Sequence, residues 1–143
     1  GFLATVTAPE NIDIAIQGEW LERCRALSAR VNWVAADPDA SPLASLQALL
    51  KMTPRGRSFV LHVDMPAFDL KVWRALEAAA GDAVPAHEGR RGHPVLLTAE
   101  TLDAVSKLDP ATGRLDEFLR ERAVTVVPVA TDVIHANLNE AAK

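Results

Sequence analysis

Residues 58–66 of the chain read SFVLHVDMP, a run of apolar and β-branched residues that ends in an aspartate and a proline. Such a run, bounded by turn-forming residues, predicts a buried β-strand over residues 58–63. In an open α/β sheet, ligands bind in the crevice beyond the carboxyl ends of the strands. We therefore expect Asp64 to present its carboxylate at that edge of the sheet, because Pro66 turns the chain away immediately afterwards.

Outward from this strand, short apolar runs alternate with helical patterns along the whole chain. Further strands are predicted at residues 12–16, 31–36, 83–86, 95–97 and 124–129. Helices are predicted at residues 19–28, 42–50, 70–76, 99–108 and 115–119. This alternation predicts an α/β fold of three layers, in which helices cover both faces of a largely parallel sheet. No break in composition divides the sequence, so residues 1–143 are predicted to form a single domain.

Composition excludes several classes of protein. The 143 residues carry a net charge of −4, which gives no basic surface for nucleic acid. Cys24 is the single cysteine, so a disulfide framework is impossible and a reducing compartment is expected. It lies at helical spacing with Trp20, Leu21 and Leu27 in the helix predicted at residues 19–28, which is amphipathic, and is therefore expected to be a buried core residue. Apolar runs stay well short of the roughly 20 residues needed to cross a bilayer. The first residues lack the basic start of a signal peptide. We therefore expect a cytoplasmic protein without a membrane partner.

Residues 89–94, which read GRRGHP, form the second segment whose residues could bind a ligand. Two glycines, Arg90, Arg91 and His93 could offer backbone amides and cationic groups to an anion. A solvated turn between two strands is an equally natural interpretation of the same residues.

Oxygen-bearing side chains form the third set of candidates. Asp37 and Asp39 follow the strand predicted at residues 31–36, where aspartates also commonly form turns. Asn137 and Asn139 near the end of the chain carry amide oxygens that can ligate a cation. Mg²⁺ takes oxygen ligands and binds through one or two carboxylates beside waters and phosphates, which suits Asp64.

Other catalytic patterns are absent from the sequence. No pair of histidines or cysteines has zinc spacing, and no nucleophile elbow is present. His62 falls within the predicted strand and is interpreted as a core histidine. His135 lies near the end of the chain without a partner at metal-ligand spacing. These absences disfavour hydrolase functions.

Four segments in order resemble the molybdenum-cofactor guanylyl- and cytidylyltransferases. Residues 39–46, DASPLASL, are similar to the family's Gly-Pro-Leu-Ala-Gly helix start, with serines in place of both glycines. Residues 63–66, VDMP, resemble its strand-end Asp-x-Pro, and residues 89–97, GRRGHPVLL, its Gly-x-x-Gly-His-Pro-Val segment. Residues 137–139, NLN, resemble its Asn-x-Asn. The matches span most of the chain.

The resemblance implies a nucleotide-diphospho-sugar-transferase-like, Rossmann-like fold and a Mg²⁺-dependent transfer of GMP or CMP from a nucleoside triphosphate to molybdopterin. It implies that Asp64 is the catalytic metal ligand and that Asn137 shares the ion. The nucleotide- or substrate-binding residues that it implies are Asp39, Arg90, Arg91, His93 and Asn139. The Gly-His-Pro segment resembles the cytidylyl branch and the Asn-x-Asn the guanylyl branch, so the choice between GTP and CTP stays open.

The sequence departs from the family at its start. Members begin with a strand and a glycine-rich loop that cradles the triphosphate, and residues 1–11 contain one glycine and no lysine or arginine. We therefore expect an N-terminally truncated domain with little or no transferase activity. Two alternatives remain open. One is a non-catalytic interaction domain that binds a cofactor-assembly protein. The other is a nucleotidyltransferase for another phosphorylated acceptor, such as a sugar phosphate.

Overall fold

A computed structural model describes residues 2–51, 56–62, 64–65 and 69–137 of the chain. Pro66 and Asn139, both singled out in the sequence, lie outside these residues. The chain divides into two compact units. The first consists of residues 1–55 and 104–118, and the second consists of residues 56–103 and 119–143.

The first unit contains a two-stranded parallel sheet. Its elements are α1 (Leu3–Val6), a 3₁₀-helix (Pro9–Asn11), β1 (Asp13–Gln17), a 3₁₀-helix (Gly18–Trp20), α2 (Leu21–Leu27), β2 (Asn32–Ala36) and α3 (Pro42–Leu50). Strands β1 and β2 pair in register from Asp13 opposite Asn32 to Gln17 opposite Ala36. Both strands occur where the apolar runs predict them, shifted by one residue at most ends.

Helix α3 begins where the sequence predicts, and its cap explains the serine at that point. The side-chain oxygen of Ser41 accepts a hydrogen bond from the backbone N–H of Ala44 at 3.1 Å, and Pro42 takes the first helical position. The Ser41 hydroxyl also donates to the carbonyl oxygen of Pro110 at 2.9 Å. Serine at this position therefore both caps the helix and anchors the turn at residue 110.

Helix α2 differs from its amphipathic prediction. Leu27 is 86% exposed and Trp20, which precedes the helix, is 44% exposed. Cys24 is half-buried and so is not the core residue that its helical spacing predicts. The helix has only seven residues, too few to lay a continuous apolar stripe on the sheet.

An exposed ion pair links the start of the first unit to the chain before β2. The Nε atom of Arg30 donates to a carboxylate oxygen of Glu10 at 2.7 Å. A hydrogen bond to its own backbone N–H and then this guanidinium lower the pKa of Glu10 below its ordinary value. Asn32 donates to both the carbonyl oxygen of Glu10 and the carboxylate of Asp13 at 2.9 Å.

The second unit contains a five-stranded mixed sheet. Its strands are β3 (Ser58–Val60), β4 (Ala83–His87), β5 (Arg90–Arg91), β6 (Val95–Leu97) and β7 (Thr125–Pro128). Its other elements are α4 (Leu70–Ala78), a 3₁₀-helix (Asp132–His135), and parts of α5 (Ala99–Ser106) and α6 (Leu115–Arg120), which continue into the first unit. Strand β6 pairs antiparallel with β3 and β4, β5 pairs antiparallel with β4, and β7 pairs parallel with β4.

The predicted α/β fold is confirmed, but the five-stranded sheet is mixed rather than largely parallel, because its β3–β6, β4–β5 and β4–β6 pairs are antiparallel and its β4–β7 pair is parallel. The antiparallel pairs with β4 arise because the chain turns back after β4 and runs through β5 and β6 against it. The core of this unit is apolar, with Leu76, Leu97 and Val84 at most 2% exposed. Among the described residues, no helix has the length and hydropathy that a membrane crossing requires.

Polar side chains fix the helix ends of the second unit. Arg57 donates to the carbonyl oxygens of residues 76, 77, 79 and 81, at and beyond the end of α4. Asp82, which is 8% exposed, accepts from the Thr98 backbone N–H at 2.8 Å and from the Thr101 hydroxyl at 2.5 Å, at the start of α5. The Arg57 contacts secure the end of α4, and the Asp82 contacts secure the start of α5. These two helices flank β4 in the sequence.

Candidate functional site

Three strands of the second unit end at the same edge of the sheet. Strands β3 and β4 are both antiparallel to β6, and β7 is parallel to β4, so these three run in one direction. We name the edge where they end the carboxyl edge. Asp64 follows β3 and Glu88 follows β4 at this edge. It is the edge at which α/β sheets place their ligands.

The end of β3 contacts the GRRGHP segment at the carboxyl edge. The His62 and His93 rings have centroids 5.9 Å apart and meet edge to face at 79°. The contact extends the ladder in which Val60 lies opposite Val95. His62 lies beyond the end of the strand, which stops at Val60, and it is half-buried. Its interpretation as a histidine inside the strand is therefore wrong, because the strand is three residues shorter than predicted.

Gly92 holds the same segment against the last 3₁₀-helix. Its backbone N–H donates to the carbonyl oxygen of Pro85 at 2.9 Å, and the N–H of His93 donates to that of Ile134 at 3.0 Å. A Cβ on Gly92 would lie 2.7 Å from both Cβ and Cγ1 of Ile134. Glycine is therefore required here by close approach, a role that the motif alone does not reveal.

Residues 86–91 form a β-hairpin with a two-residue turn, so the first part of the GRRGHP segment belongs to the turn and to β5. His87 pairs with Arg90 and Ala86 with Arg91 across the turn. Glu88 has φ +52° and Gly89 has φ +79°, the left-handed pair that a type I′ turn requires. The sequence hides this hairpin because glutamate is disfavoured at the first turn position, where asparagine, aspartate or glycine is usual. Arg90 and Arg91 are exposed on the short β5.

A polar cleft of about 710 Å³ lies beside the hairpin. It is lined by His87, Glu88, Arg90, Asp132, Val133, His135 and Ala136. His87 and His135 were not selected as site residues from the sequence, since they are 48 positions apart and follow no metal-ligand spacing. Their rings have centroids 6.2 Å apart at an angle of 53°. Only the return of the chain after β7 brings them together.

Each of these two histidines contacts a backbone carbonyl. Nδ1 of His87 lies 3.0 Å from the Val129 oxygen, and Nε2 of His135 lies 3.0 Å from the Arg90 oxygen. A carbonyl only accepts, so each of these ring nitrogens carries a proton. Nε2 of His87 lies 4.0 Å from a carboxylate oxygen of Glu88. The tautomers of both rings are thus set by the fold.

The predicted site residues fall into three groups. Asp64, His93 and the two arginines belong to the carboxyl edge of the second unit, and Asn137 follows the 3₁₀-helix that packs there. Asp39 belongs to the first unit, where its backbone N–H donates to the side chain of Asp37 at 2.9 Å in a turn. Asn139 lies outside the described residues.

The oxygen-bearing side chains of Asp64 and Asn137 suit a hard cation with few protein ligands. Across the described part of the chain, no three His, Cys, Asp or Glu side chains are grouped to enclose a metal ion. Mg²⁺ does not need such a cage, because it binds through one or two carboxylates and completes its shell with waters and phosphates. The carboxylate of Asp64 and the amide of Asn137 are ligands of that oxygen type.

Several solved structures are similar to this chain in fold, and three of them show the extent of the likeness. The Rv0371c protein of Mycobacterium tuberculosis, in complex with manganese, matches with a TM-score of 0.66 and 17% identity over 83% of this chain and 67% of that one. Its homologue from Mycobacterium sp. strain JC1 matches with a TM-score of 0.66 and 18% identity over 96% of this chain and 76% of that one. Molybdopterin-guanine dinucleotide biosynthesis protein A from Archaeoglobus fulgidus matches with a TM-score of 0.56 and 18% identity over 90% of this chain and 68% of that one.

Comparison with curated protein sequences gives no match. The family of MobA-like NTP transferase domains, by contrast, matches residues 6–126, which is most of the chain and covers parts of both units. The solved structures agree with this family in fold. The chain therefore belongs to the MobA-like NTP transferase domain family.

Proposed function

We propose that this domain serves a Mg²⁺-dependent nucleotidyltransferase of molybdenum-cofactor synthesis. The reaction transfers GMP or CMP from a nucleoside triphosphate to molybdopterin. An oxygen of the acceptor phosphate attacks the α-phosphorus, the bond to the β-phosphate breaks, and pyrophosphate leaves. Membership of the family implies the nucleoside triphosphate; the metal and the acceptor belong to the proposal.

The observation that supports the proposal best is the convergence of motifs at the carboxyl edge. Asp64 follows His62, whose ring meets that of His93, and His93 is bonded to Ile134 three residues before Asn137. Three of the four segments that resemble the family thus lie within one compact unit.

The residues present fit a divalent cation. Asp64 and Asn137 would hold Mg²⁺, which would neutralise charge on the triphosphate during transfer. A structural relative was solved in complex with manganese, an ion that accepts the same oxygen ligands. Phosphoryl-type transfer depends mainly on positioning and charge neutralisation, so the task of this chain is to fix the reactants in line. The nucleotide or the acceptor would be bound by Arg90, Arg91 and His93. The same binding role is proposed for Asp39 and Asn139.

Mn²⁺ binding by Asp64→Asn tests the proposal directly. The substitution removes the anionic ligand while keeping side-chain size, and we expect Mn²⁺ affinity to fall at least about tenfold by electron paramagnetic resonance titration. Mg²⁺ should displace Mn²⁺ from the unsubstituted chain. Glu121→Gln, at an exposed position, is the matched control and should bind normally.

Transfer activity provides a second test of the proposal. If the chain turns over GTP or CTP with molybdopterin, Asp64→Asn should lower the rate by about 10²-fold or more, the usual cost of losing one stabilising group at a developing charge. Unchanged Mn²⁺ affinity in Asp64→Asn would contradict the proposal, whatever the rate.

A further inference from the structure

His87 and His135 show the same arrangement of bonds at the cleft beside the hairpin. One nitrogen of each ring donates to a backbone carbonyl: Nδ1 of His87 to Val129 and Nε2 of His135 to Arg90, both at 3.0 Å. The other nitrogens, Nε2 of His87 and Nδ1 of His135, have no hydrogen-bond partner among the residues that the structure describes. In the neutral ring, each of these nitrogens carries an available lone pair.

The same arrangement is typical of histidines that bind metal ions. A ligating histidine almost always donates its other ring N–H to a carbonyl or a carboxylate, and this bond fixes the tautomer and orients the ring. Both rings line one cleft of about 710 Å³. His87 and His135 therefore meet the conditions for a pair of ligands whose orientation is set before an ion arrives.

The separation of the two rings indicates which ions suit them. A metal–nitrogen bond of about 2.0 Å and a ring radius of about 1.2 Å place an ion about 3.2 Å from each ring centroid. Two rings on one ion then have centroids at most about 6.4 Å apart, and only about 5.2 Å apart at the tetrahedral angle. The centroids of His87 and His135 are 6.2 Å apart. This distance fits nitrogens on nearly opposite sides of one ion and is too wide for tetrahedral zinc.

A wide nitrogen–metal–nitrogen angle is typical of tetragonal ions. Cu²⁺ and Ni²⁺ take square or tetragonal sets of nitrogen and oxygen ligands, and Cu²⁺ binds a given site most tightly among the divalent first-row metals. Glu88 adds negative charge nearby, because its carboxylate lies 4.0 Å from Nε2 of His87. Its side chain is 85% exposed, so rotation about its bonds would bring a carboxylate oxygen to an ion between the rings.

We propose that Nε2 of His87 and Nδ1 of His135 bind one divalent ion of the copper–nickel type, with Glu88 or waters completing its shell. This site differs in chemistry from the proposed magnesium site, since imidazole suits late transition metals and the oxygens of Asp64 and Asn137 suit Mg²⁺. An ion bound there would join the end of β4 to the last 3₁₀-helix of the same unit. The inference does not depend on the proposed function.

Cu²⁺ titration of the full 143-residue chain tests this proposal. His87→Asn and His135→Gln each remove the ligating nitrogen, while the new amide N–H can replace the ring donor to Val129 or Arg90. We expect each substitution to lower Cu²⁺ affinity at least about tenfold, measured by isothermal titration calorimetry with glycine as competing chelator. Nitrogen hyperfine lines in the electron paramagnetic resonance spectrum of bound Cu²⁺ should indicate two imidazoles in the unsubstituted chain and one in either variant.

The matched control is His62→Gln, which removes an imidazole that does not line the cleft and should leave Cu²⁺ affinity unchanged. Asp64→Asn should also bind Cu²⁺ normally, and its Mn²⁺ affinity tests the proposed function separately. Thermal melting without metal checks that each variant folds.

Unchanged Cu²⁺ affinity in His87→Asn or in His135→Gln would overturn the inference. A loss of affinity in His62→Gln would place the ion at the contact between His62 and His93 and would overturn it as well. Tighter binding of Zn²⁺ than of Cu²⁺ would contradict the wide angle between the two nitrogens.

Discussion

Gly92 contacts Ile134 so closely that no side chain fits between them. A Cβ at position 92 would lie 2.7 Å from two side-chain atoms of Ile134 and would also meet its carbonyl oxygen. Because that oxygen accepts the hydrogen bond from His93, neither partner can move without loss. The glycine of the Gly-His-Pro segment is thus a packing requirement of the carboxyl edge.

Gly92→Ala should therefore destabilise the protein by about 1–3 kcal/mol, the usual cost of forcing atoms into a packed site. Urea denaturation measures the change in the free energy of unfolding. Gly56→Ala is the matched control in the same unit, since nothing lies within 4 Å of a Cβ there. A Gly92→Ala variant as stable as Gly56→Ala would contradict the close contact.

Glu88→Asn should stabilise the hairpin, because asparagine tolerates the left-handed conformation that Glu88 adopts at φ +52°. We expect a gain of about 0.5–1 kcal/mol in the free energy of unfolding. Glu100→Asn, at an exposed helical position, should give no gain. A loss of stability in Glu88→Asn would mean that the carboxylate contributes more to the fold than its backbone conformation costs.

Gln47 supplies a buried donor in the first unit. It is 8% exposed, and its Nε2 donates to the carbonyl oxygens of Val105 at 3.1 Å and Leu108 at 2.8 Å. Gln47→Glu replaces that donor by a carboxylate facing two carbonyl oxygens, so we expect a loss of about 1–3 kcal/mol. Thermal and urea denaturation measure it, with Gln17→Glu at an exposed position as control. Equal stability of the two variants would refute the role of Gln47 as a buried hydrogen-bond donor.

The Glu10–Arg30 pair should give a small dependence of stability on pH. The folded pKa of Glu10 is lowered, so the ionised carboxylate stabilises the folded state above its unfolded pKa of about 4.3. That contribution is lost as the pH falls from about 4.3 through the folded pKa. Melting temperatures of the unsubstituted chain and Glu10→Gln should therefore differ at pH 7 and converge in acid. A difference that persists unchanged at low pH would contradict this.

Local patterns predicted most of the fold well. Pro42 after Ser41 identified the start of α3, and the apolar run at residues 32–36 identified β2, because capping chemistry and strand hydrophobicity act between near neighbours. Asp64 is a metal-ligand candidate on the same kind of local evidence, because it follows an apolar run, and its role stays a prediction.

Contacts between distant segments were beyond the sequence patterns. The hairpin at Glu88 lacks the usual turn residues, so its local signal is weak. His87 and His135 meet only because β7 pairs with β4 and returns the chain to the carboxyl edge. Cys24 shows the opposite failure, in which correct helical spacing predicted more burial than a short helix provides.

The bonds around β4 tie two remote stretches of chain into one cooperative element. The carbonyl oxygens of Pro85 and Ala86 receive the N–H groups of Gly92 and Val129. The two stretches are also bonded to each other, because the carbonyl oxygen of Ile134 accepts from the N–H of His93. Opening either stretch breaks bonds that hold the other, so both should exchange their amide hydrogens together. A ligand that binds one of these two stretches should therefore also rigidify the other.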